Sequence, residues 1–433
     1  MRPASVSLIA GAVALLMAAG GTAAAADTDN GHFVRIHWYH PGAEHGNPGY
    51  EFNRRFRVNA PEVVVDPRFH QRNEPRGNGM MVIRADEDLL QLTGVELYLE
   101  LWGGHPGTTH KRVTLNGRTT YPIREIGTAD HHCTHLYPVI PLKITDLVNG
   151  YNAVQFACDT GTTFWGHFIV DEAALRMTLA TNHPALVASE LDSLRATLDA
   201  TQPDGTNEII RLSLQHPDLD PSRIARVEFH GRYFGYDENG DGRFSDWHGF
   251  TRRKEPVGIL GVVEAPPYAL DWNTSMLPDQ RDMAARAVIH FRNPANIVFV
   301  TPVVEALRTP DRENVSVRLV LAPRVPAPFW SRANNLKSAS LFLNTHPDRI
   351  LAAELHTVVW DGGAGGVENY FTLNGRFIPT AGNGAHDTIY RITSLDPAHL
   401  RPGENRVELL SDTDHHGIEI LLPGPALMIR GRD

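Results

Sequence analysis

The stretch GYDENGDGRFSDW, Gly235 to Trp247, sets Asp237, Asn239 and Asp241 at alternate positions and follows them with Gly242. Three oxygen-bearing side chains so spaced, with a glycine to turn the chain sharply, converge on one point, and hard oxygen ligands in that pattern suit calcium. The twelfth position, where a sensor loop carries a bidentate glutamate, is His248, and Asp246 can stand in for it. No helical pattern flanks the loop, so a helix-opening switch is not expected. The expectation is a structural calcium clip made by Asp237, Asn239, Asp241 and Asp246; the alternative is an unmetallated acidic turn held by local Asp and Asn hydrogen bonds.

Histidine is abundant, 22 in the chain, with clusters in HWYH, DHHCTH and DTDHHG. His131, His132 and His135 beside Asp130 have the types that bind zinc or copper. Their spacing fits no closed tetrahedral pattern, and adjacent residues on a strand point to opposite faces, so a solvated loop is the reading. For nucleophilic catalysis there is neither a GxSxG nor an HExxH stretch. Paired carboxylates are scattered. A β-elimination site would draw on His, Tyr and Arg, for which His105, His110, Arg112 and Tyr137 are the candidates. Aromatic side chains offer sugar contact, since ring faces stack on pyranoses while neighbouring polar groups fix orientation. Trp102, Trp360 and the Trp165 and His167 of TTFWGH are the candidates.

These residues sit on an internal repeat. Residues 95 to 118, VELYLELWGGHPGTTHKRVTLNGR, align without a gap to 353 to 376, AELHTVVWDGGAGGVENYFTLNGR, with ten of 24 positions identical. Self-similarity of that regularity marks a duplicated unit. Trp102 answers to Trp360, a recurrence that fits a core role as well as a binding one. Further on, Tyr137 to Phe156 lines up with Tyr390 to Leu409, and Val34-Arg35-Ile36 matches Val317-Arg318-Leu319. Asp412-Thr413 in the second copy stands as Asp159-Thr160 does in the first, which makes the adjoining His415 and His416 part of a polar rim.

The elements that position these residues are strands. Short runs such as FVRIHWY, VELYLELW, NAVQFAC, VSVRLVLA and RVELLSD, punctuated by Gly, Pro, Asn and Asp, recur along the chain. Asn-Gly in TLNGR is a tight-turn signal, because both central residues need positive φ. The clearest helical candidate is SELDSLRATLDA, with Leu191, Leu194 and Leu198 at helical spacing.

The order strand, LNG, polar loop, Y…I…L…GxN and closing apolar strand resembles the galactose-binding-like β-sandwich, a jelly-roll module found beside many carbohydrate-active enzymes. The resemblance covers roughly 85 to 180 and 340 to 430, and both copies depart from it by long His- and Gly-rich loops. The middle segment, with ARVEFHGRYF and APPYALDW, resembles an immunoglobulin-like domain. Together they imply an all-β chain of two jelly-roll sandwiches separated by an immunoglobulin-like sandwich. The expected boundaries are 27–180 for the first copy, 181–205 for a linker, 206–308 for the middle domain and 309–433 for the second copy.

Composition sets the outer bounds. The opening MRPASVSLIAGAVALLMAAGGTAAAADTDN places Arg2 before an apolar run and ends in small residues, the order of a signal peptide over 1–26. The expected destination is secreted or periplasmic. No later segment has about eighteen apolar residues in a row, so no membrane span is expected. A net charge of -10 argues against nucleic acid, which needs a basic face to displace counterions. The two cysteines, Cys133 and Cys158, are expected to pair in an oxidising compartment. The function read from this is a secreted protein that binds polysaccharide or a cell-surface glycan. The alternatives are a polysaccharide lyase or glycoside hydrolase, and a structural or adhesion protein.

Overall fold

Alternation in VELYLELW puts Val95, Leu97, Leu99 and Leu101 into the core from one face of the strand Leu92–Trp102 and leaves Glu96, Tyr98, Glu100 and Trp102 on the other. The computed structural model describes residues 30–40, 56–58, 80–104, 108–124, 132–159, 168–202, 207–217, 219–238, 240, 247 and 259–433. The leader 1–26, His105, Trp165, His167, Asn239, Asp241 and Asp246 lie outside them; of the calcium set only Asp237 lies within. The chain is all-β, with the helix Pro184–Ala188 and several single 3-10 turns between strands.

The duplication runs through two sheets in each copy. One sheet of the first copy orders Met80–Ala85, Gly150–Ala157, Arg112–Leu115 and Thr119–Pro122; its counterpart orders Lys337–Leu343, Gly403–Leu409, Phe371–Leu373 and Arg376–Phe377. In the other sheet, His32–Trp38 pairs with Phe168–Leu179 and that with Leu92–Trp102, as Val315–Leu321 pairs with Ala426–Arg432 and that with Ile350–Gly362. The TLNGR turns take the expected conformation, with φ of 49° and 64° at Asn116 and Gly117 and 53° and 79° at Asn374 and Gly375.

A second device repeats with them. Asn116 Nδ2 donates to Asn152 Oδ1 at 2.9 Å, and Asn152 in turn clasps the backbone N–H and carbonyl of Val148. Asn374 and Asn405 do the same at 2.9 Å around Arg401. Each pair ties the hairpin turn to the loop entering the closing strand, which explains why LNG and GxN recur together.

The middle segment is continuous with the first copy. Ile297–Val300 pairs with His32–Trp38, Phe33 opposite Phe299 and Val34 opposite Val298. Among the described residues this joins Ile259–Val263, Ile224–Arg232 and Met283–Phe291 to the first-copy strands in one eleven-stranded sheet. Phe33 packs edge-on against Phe299 at 4.9 Å within a core common to both segments, whereas the second copy has its own core around Leu341, Leu355, Phe371 and Val407.

Two expectations are corrected. Leu191, Leu194 and Leu198 are buried, but SELDSLRATLDA is not a helix: Thr197–Thr201 is a strand paired with Ile209–Gln215. Helical spacing of three leucines in so short a run is outweighed by strand pairing on an open sheet edge. Cys133 and Cys158 are not joined in a disulfide. Cys158 is buried in the first-copy core with its thiol toward the Val58 carbonyl, while Cys133 belongs to a different cluster against the second copy. A disulfide needs Cα atoms within about 7 Å, and these residues face different neighbourhoods.

Candidate binding rim and the junction of the two copies

His110 and Arg112 are brought together by Asp159. His110 Nδ1 lies 2.7 Å from one carboxylate oxygen, and Arg112 donates to the other at 2.6 Å and to the His110 carbonyl at 2.8 Å. The Arg112 hydrogen bond holds the Asp159 carboxyl below its usual range. Tyr137 does not join them. It borders the strand His135–Leu136, which pairs with Leu92–Trp102 in the opposite sheet. Enclosure, then the nearby Glu238 and Glu100 carboxylates, raise its phenol well above the ordinary value.

Trp102 and Trp360 meet at one place. Cys133, Tyr236, Val358, Leu421 and Ala426 form a buried cluster, and both tryptophans pack on it with Leu319 and Tyr390. The junction thus draws on the first copy, the middle segment and the second copy. The Leu422 N–H donates to the Cys133 carbonyl at 3.0 Å, and a side chain at Gly240 would strike Leu422. A separate polar tie lies further along: Glu208 of the middle segment accepts from Arg312 at 2.8 Å and from Arg430 of the second copy at 2.5 Å.

Burial keeps the junction uncharged. It raises the Tyr236 and Tyr390 phenols and the Cys133 thiol well above their ordinary values. It also lifts the Glu419 carboxyl to about 7, against the opposing hydrogen bond with Cys133. Glu419 therefore keeps its proton well above the range of an exposed carboxyl and gives it up at about neutral pH.

Beside this junction the second copy carries a half-exposed rim. On three adjacent strands, Trp330 pairs with Glu419 and Glu419 with Trp360. Directly opposed residues project to one face, so the two indoles flank Glu419 about 10 Å apart, two strand spacings. Asp361, fully buried, accepts from the N–H groups of Gly363, Asn383 and Gly384 at 3.1, 3.2 and 3.2 Å. That fixes the loop reaching His386, which has φ 55° and donates its N–H to the Asp361 carbonyl at 2.7 Å. The facing loop is fixed by Asp412, which accepts from Gly366 at 2.9 Å; a side chain at Gly365 would overlap its carboxylate. The His386 and His416 rings lie 5.9 and 6.2 Å from the Trp360 ring, and Arg332 stacks on Trp330 at 4.3 Å. His415 is exposed next to His416. Burial, then the charges of His386 and His415, lower the basicity of His416.

Of the rim residues, the sequence reading names Trp360, His415 and His416 and misses Trp330, His386 and Glu419. Extending the Tyr137 to Tyr390 alignment four residues back places His386 at the position of Cys133, in the counterpart of the DHHCTH loop. Among the described residues no group of three or more His, Cys, Asp or Glu is placed to hold a metal, and no helix is long and apolar enough to cross a membrane. What the rim offers is two apolar ring faces edged by imidazoles and a guanidinium, an arrangement suited to pyranose stacking with polar orientation.

No protein-family model matches the chain, and no curated protein sequence is similar to it. Among solved structures the chain is similar to a β-porphyranase of glycoside hydrolase family 86 from the human gut bacterium Bacteroides plebeius, at 12% identity and a TM-score of 0.23, over 56% of this chain and 37% of that one. A second is the BuGH86 protein in complex with neoagarooctaose, at 11% and 0.23, over 55% and 33%. A third is an exo-β-1,3-galactanase from Phanerochaete chrysosporium, at 8% and 0.16, over 83% and 79%. The chain spans about a third of the length of the first two.

Proposed function

We propose that the protein is an exported glycan-binding protein that engages an extracellular polysaccharide or cell-surface glycan through the rim of the second copy. The supporting observation is the placement of Trp330 and Trp360 on one face, on either side of Glu419, with His386 and His416 at the edge of Trp360. Two half-exposed indoles on one face contact successive sugar units of a chain, and the imidazoles select among hydroxyl patterns. The leader-like opening supplies the export half of the reading, and the acidic Asp237 loop is its calcium clip. If the first-copy loops with Trp165 bind too, linkage of the copies adds avidity on a repeating polymer.

A depolymerase is the second reading. His110 held by Asp159 beside Arg112 favours it, since an imidazole oriented by a carboxylate is the arrangement of a general base. Size-exclusion chromatography with light scattering on a panel of neutral and acidic polysaccharides separates the two. Co-elution with unchanged polymer mass supports binding, and Trp330→Ala then weakens it by about tenfold or more with the melt retained. Falling polymer mass replaces binding with turnover. No co-elution across the panel removes the glycan reading.

A further inference from the structure

Between the middle segment and the second copy lies a cleft of about 480 Å³. That volume suits a small-molecule site, for which about 300–1,000 Å³ at a domain boundary is usual. Glu208, Ser275 and Met276 of the middle segment form one wall, and the start of the strand Ile350–Gly362 forms the floor. On that floor Glu354 stands directly between Met428 and Ser394 on the neighbouring strands, and Ala352 is opposed to Arg430. Opposed residues share a face, as do residues two apart on a strand, so a carboxylate, a hydroxyl and a guanidinium surround the small side chain of Ala352. Each charged group is held yet has capacity to spare. Glu354 Oε2 lies 3.2 Å from His356 Nε2, and His356 Nδ1 lies 2.8 Å from the Tyr390 hydroxyl. Arg430 Nη1 donates to Glu208 at 2.5 Å and to the Ser275 carbonyl at 3.0 Å. Among the described residues Glu354 Oε1, the Ser394 hydroxyl and Arg430 Nε and Nη2 make no hydrogen bond. The first copy differs here: Glu96, which Glu354 repeats, pairs at 2.9 Å with Arg176 directly opposite. Met428 takes the place of that arginine in the second copy, which leaves Glu354 an oxygen for another partner.

We propose that this cleft is a binding site for a short neutral saccharide, one or two sugar units long. One hydroxyl of a vicinal pair donates to Glu354 Oε1 and its neighbour accepts from Arg430, while Met276 and Leu395, which also line the cleft, cover a C–H face of the ring. The charges select against ionic ligands. An anion would meet the Glu208 and Glu354 carboxylates, and a cation would meet Arg430 with Arg312 behind it on Glu208. A polyhydroxylated neutral ligand supplies donors and acceptors to both kinds of group and brings no charge to be desolvated. Glu354 is fixed through His356 and Tyr390 before any ligand arrives, so little ordering is needed on binding. Glu354 and Trp360 are six residues apart on one strand, about 20 Å, so the cleft is separate from the rim and the inference does not depend on it.

The test labels the Met and Leu methyl groups of the mature chain and follows them by nuclear magnetic resonance during titration. The probes are the methyl β-glycosides of galactose, glucose and xylose, with lactose and cellobiose, against methyl glucuronide and glycine as charged controls. Saturable shifts at the Met276 and Leu395 methyls are expected with at least one neutral sugar. Glu354→Gln is expected to weaken that sugar by about tenfold, and Ala352→Leu, which fills the floor and keeps every polar group, to abolish saturation. Unchanged affinity in both variants overturns the assignment, as does the absence of a saturable shift at these methyls with every neutral sugar. Tighter binding of the glucuronide or of glycine overturns the ligand class. If a variant melts early, the native chain decides: ligand-induced shifts elsewhere with the Met276 and Leu395 methyls silent refute the site.

Discussion

The Tyr236 hydroxyl, carried by the middle segment, donates to the Gly424 carbonyl of the second copy at 2.7 Å, and its ring stacks on Tyr390 at 5.7 Å. One side chain thus provides both a polar and an apolar tie across the junction. Tyr236→Phe keeps the stack and is expected to cost about 1 kcal/mol. Tyr236→Ala removes both and is expected to cost about 3 kcal/mol or more. Urea unfolding measures each. Limited proteolysis should show the larger effect as earlier cleavage between the middle segment and the second copy.

Glu419 makes the junction lose stability as pH rises from the ordinary carboxyl range to about 7. Its carboxyl is lifted to about 7 by burial, above the ordinary value of about 4.3 in an unfolded chain. A raised folded value means that the native state holds the proton more tightly. The stabilisation is full below the unfolded value and falls away as pH rises through about 7. Melting temperatures measured from pH 5 to 9 should therefore decline less steeply in Glu419→Gln than in the native chain; parallel curves would remove the claim.

Asn152 and Asn405 each accept and donate hydrogen bonds around one turn with almost no exposure to water. Replacing either with alanine leaves backbone groups of the loop and its partner asparagine without their bonds. A loss of about 3 kcal/mol is expected at each site. The two variants should act on different cores, Asn405→Ala on the second copy alone, which hydrogen exchange resolved by segment would reveal.

The calcium clip proposed for the Asp237 loop predicts a response to chelator. Tyr236 and Gly240, on either side of Asp237, pack on the second copy, so emptying the loop should loosen the junction as well as the loop. A calorimetric melt with chelator is expected to shift downward and to recover with added calcium. An unchanged transition would leave an acidic turn.

What could be read from the sequence was chemistry set within a few residues. Asn116-Gly117 and Asn374-Gly375 demand positive φ wherever they occur, and Asn152 and Asn405 answer them 36 and 31 residues later, so the repeat was visible as a recurring order of motifs. The shared sheet was not, because the partner of Phe33 is Phe299, and no local periodicity carries a pairing across that separation. The cysteines misled for a related reason: two thiols in one chain say nothing about which cores they enter. Trp102 and Trp360 were visible as equals, while their meeting at one junction depends on how the copies dock.

The sheet that joins Ile297–Val300 to His32–Trp38 also sets an order of events during synthesis. His32–Trp38 leaves the ribosome among the first strands, yet one of its edges has no partner until the chain has grown past Val300. A nascent or truncated chain ending before Ile297 presents that edge to its neighbours, and an open strand edge is a template for aggregation. Expression boundaries drawn at the end of the first copy cut through a sheet, and soluble fragments should begin with the first copy and the middle segment together.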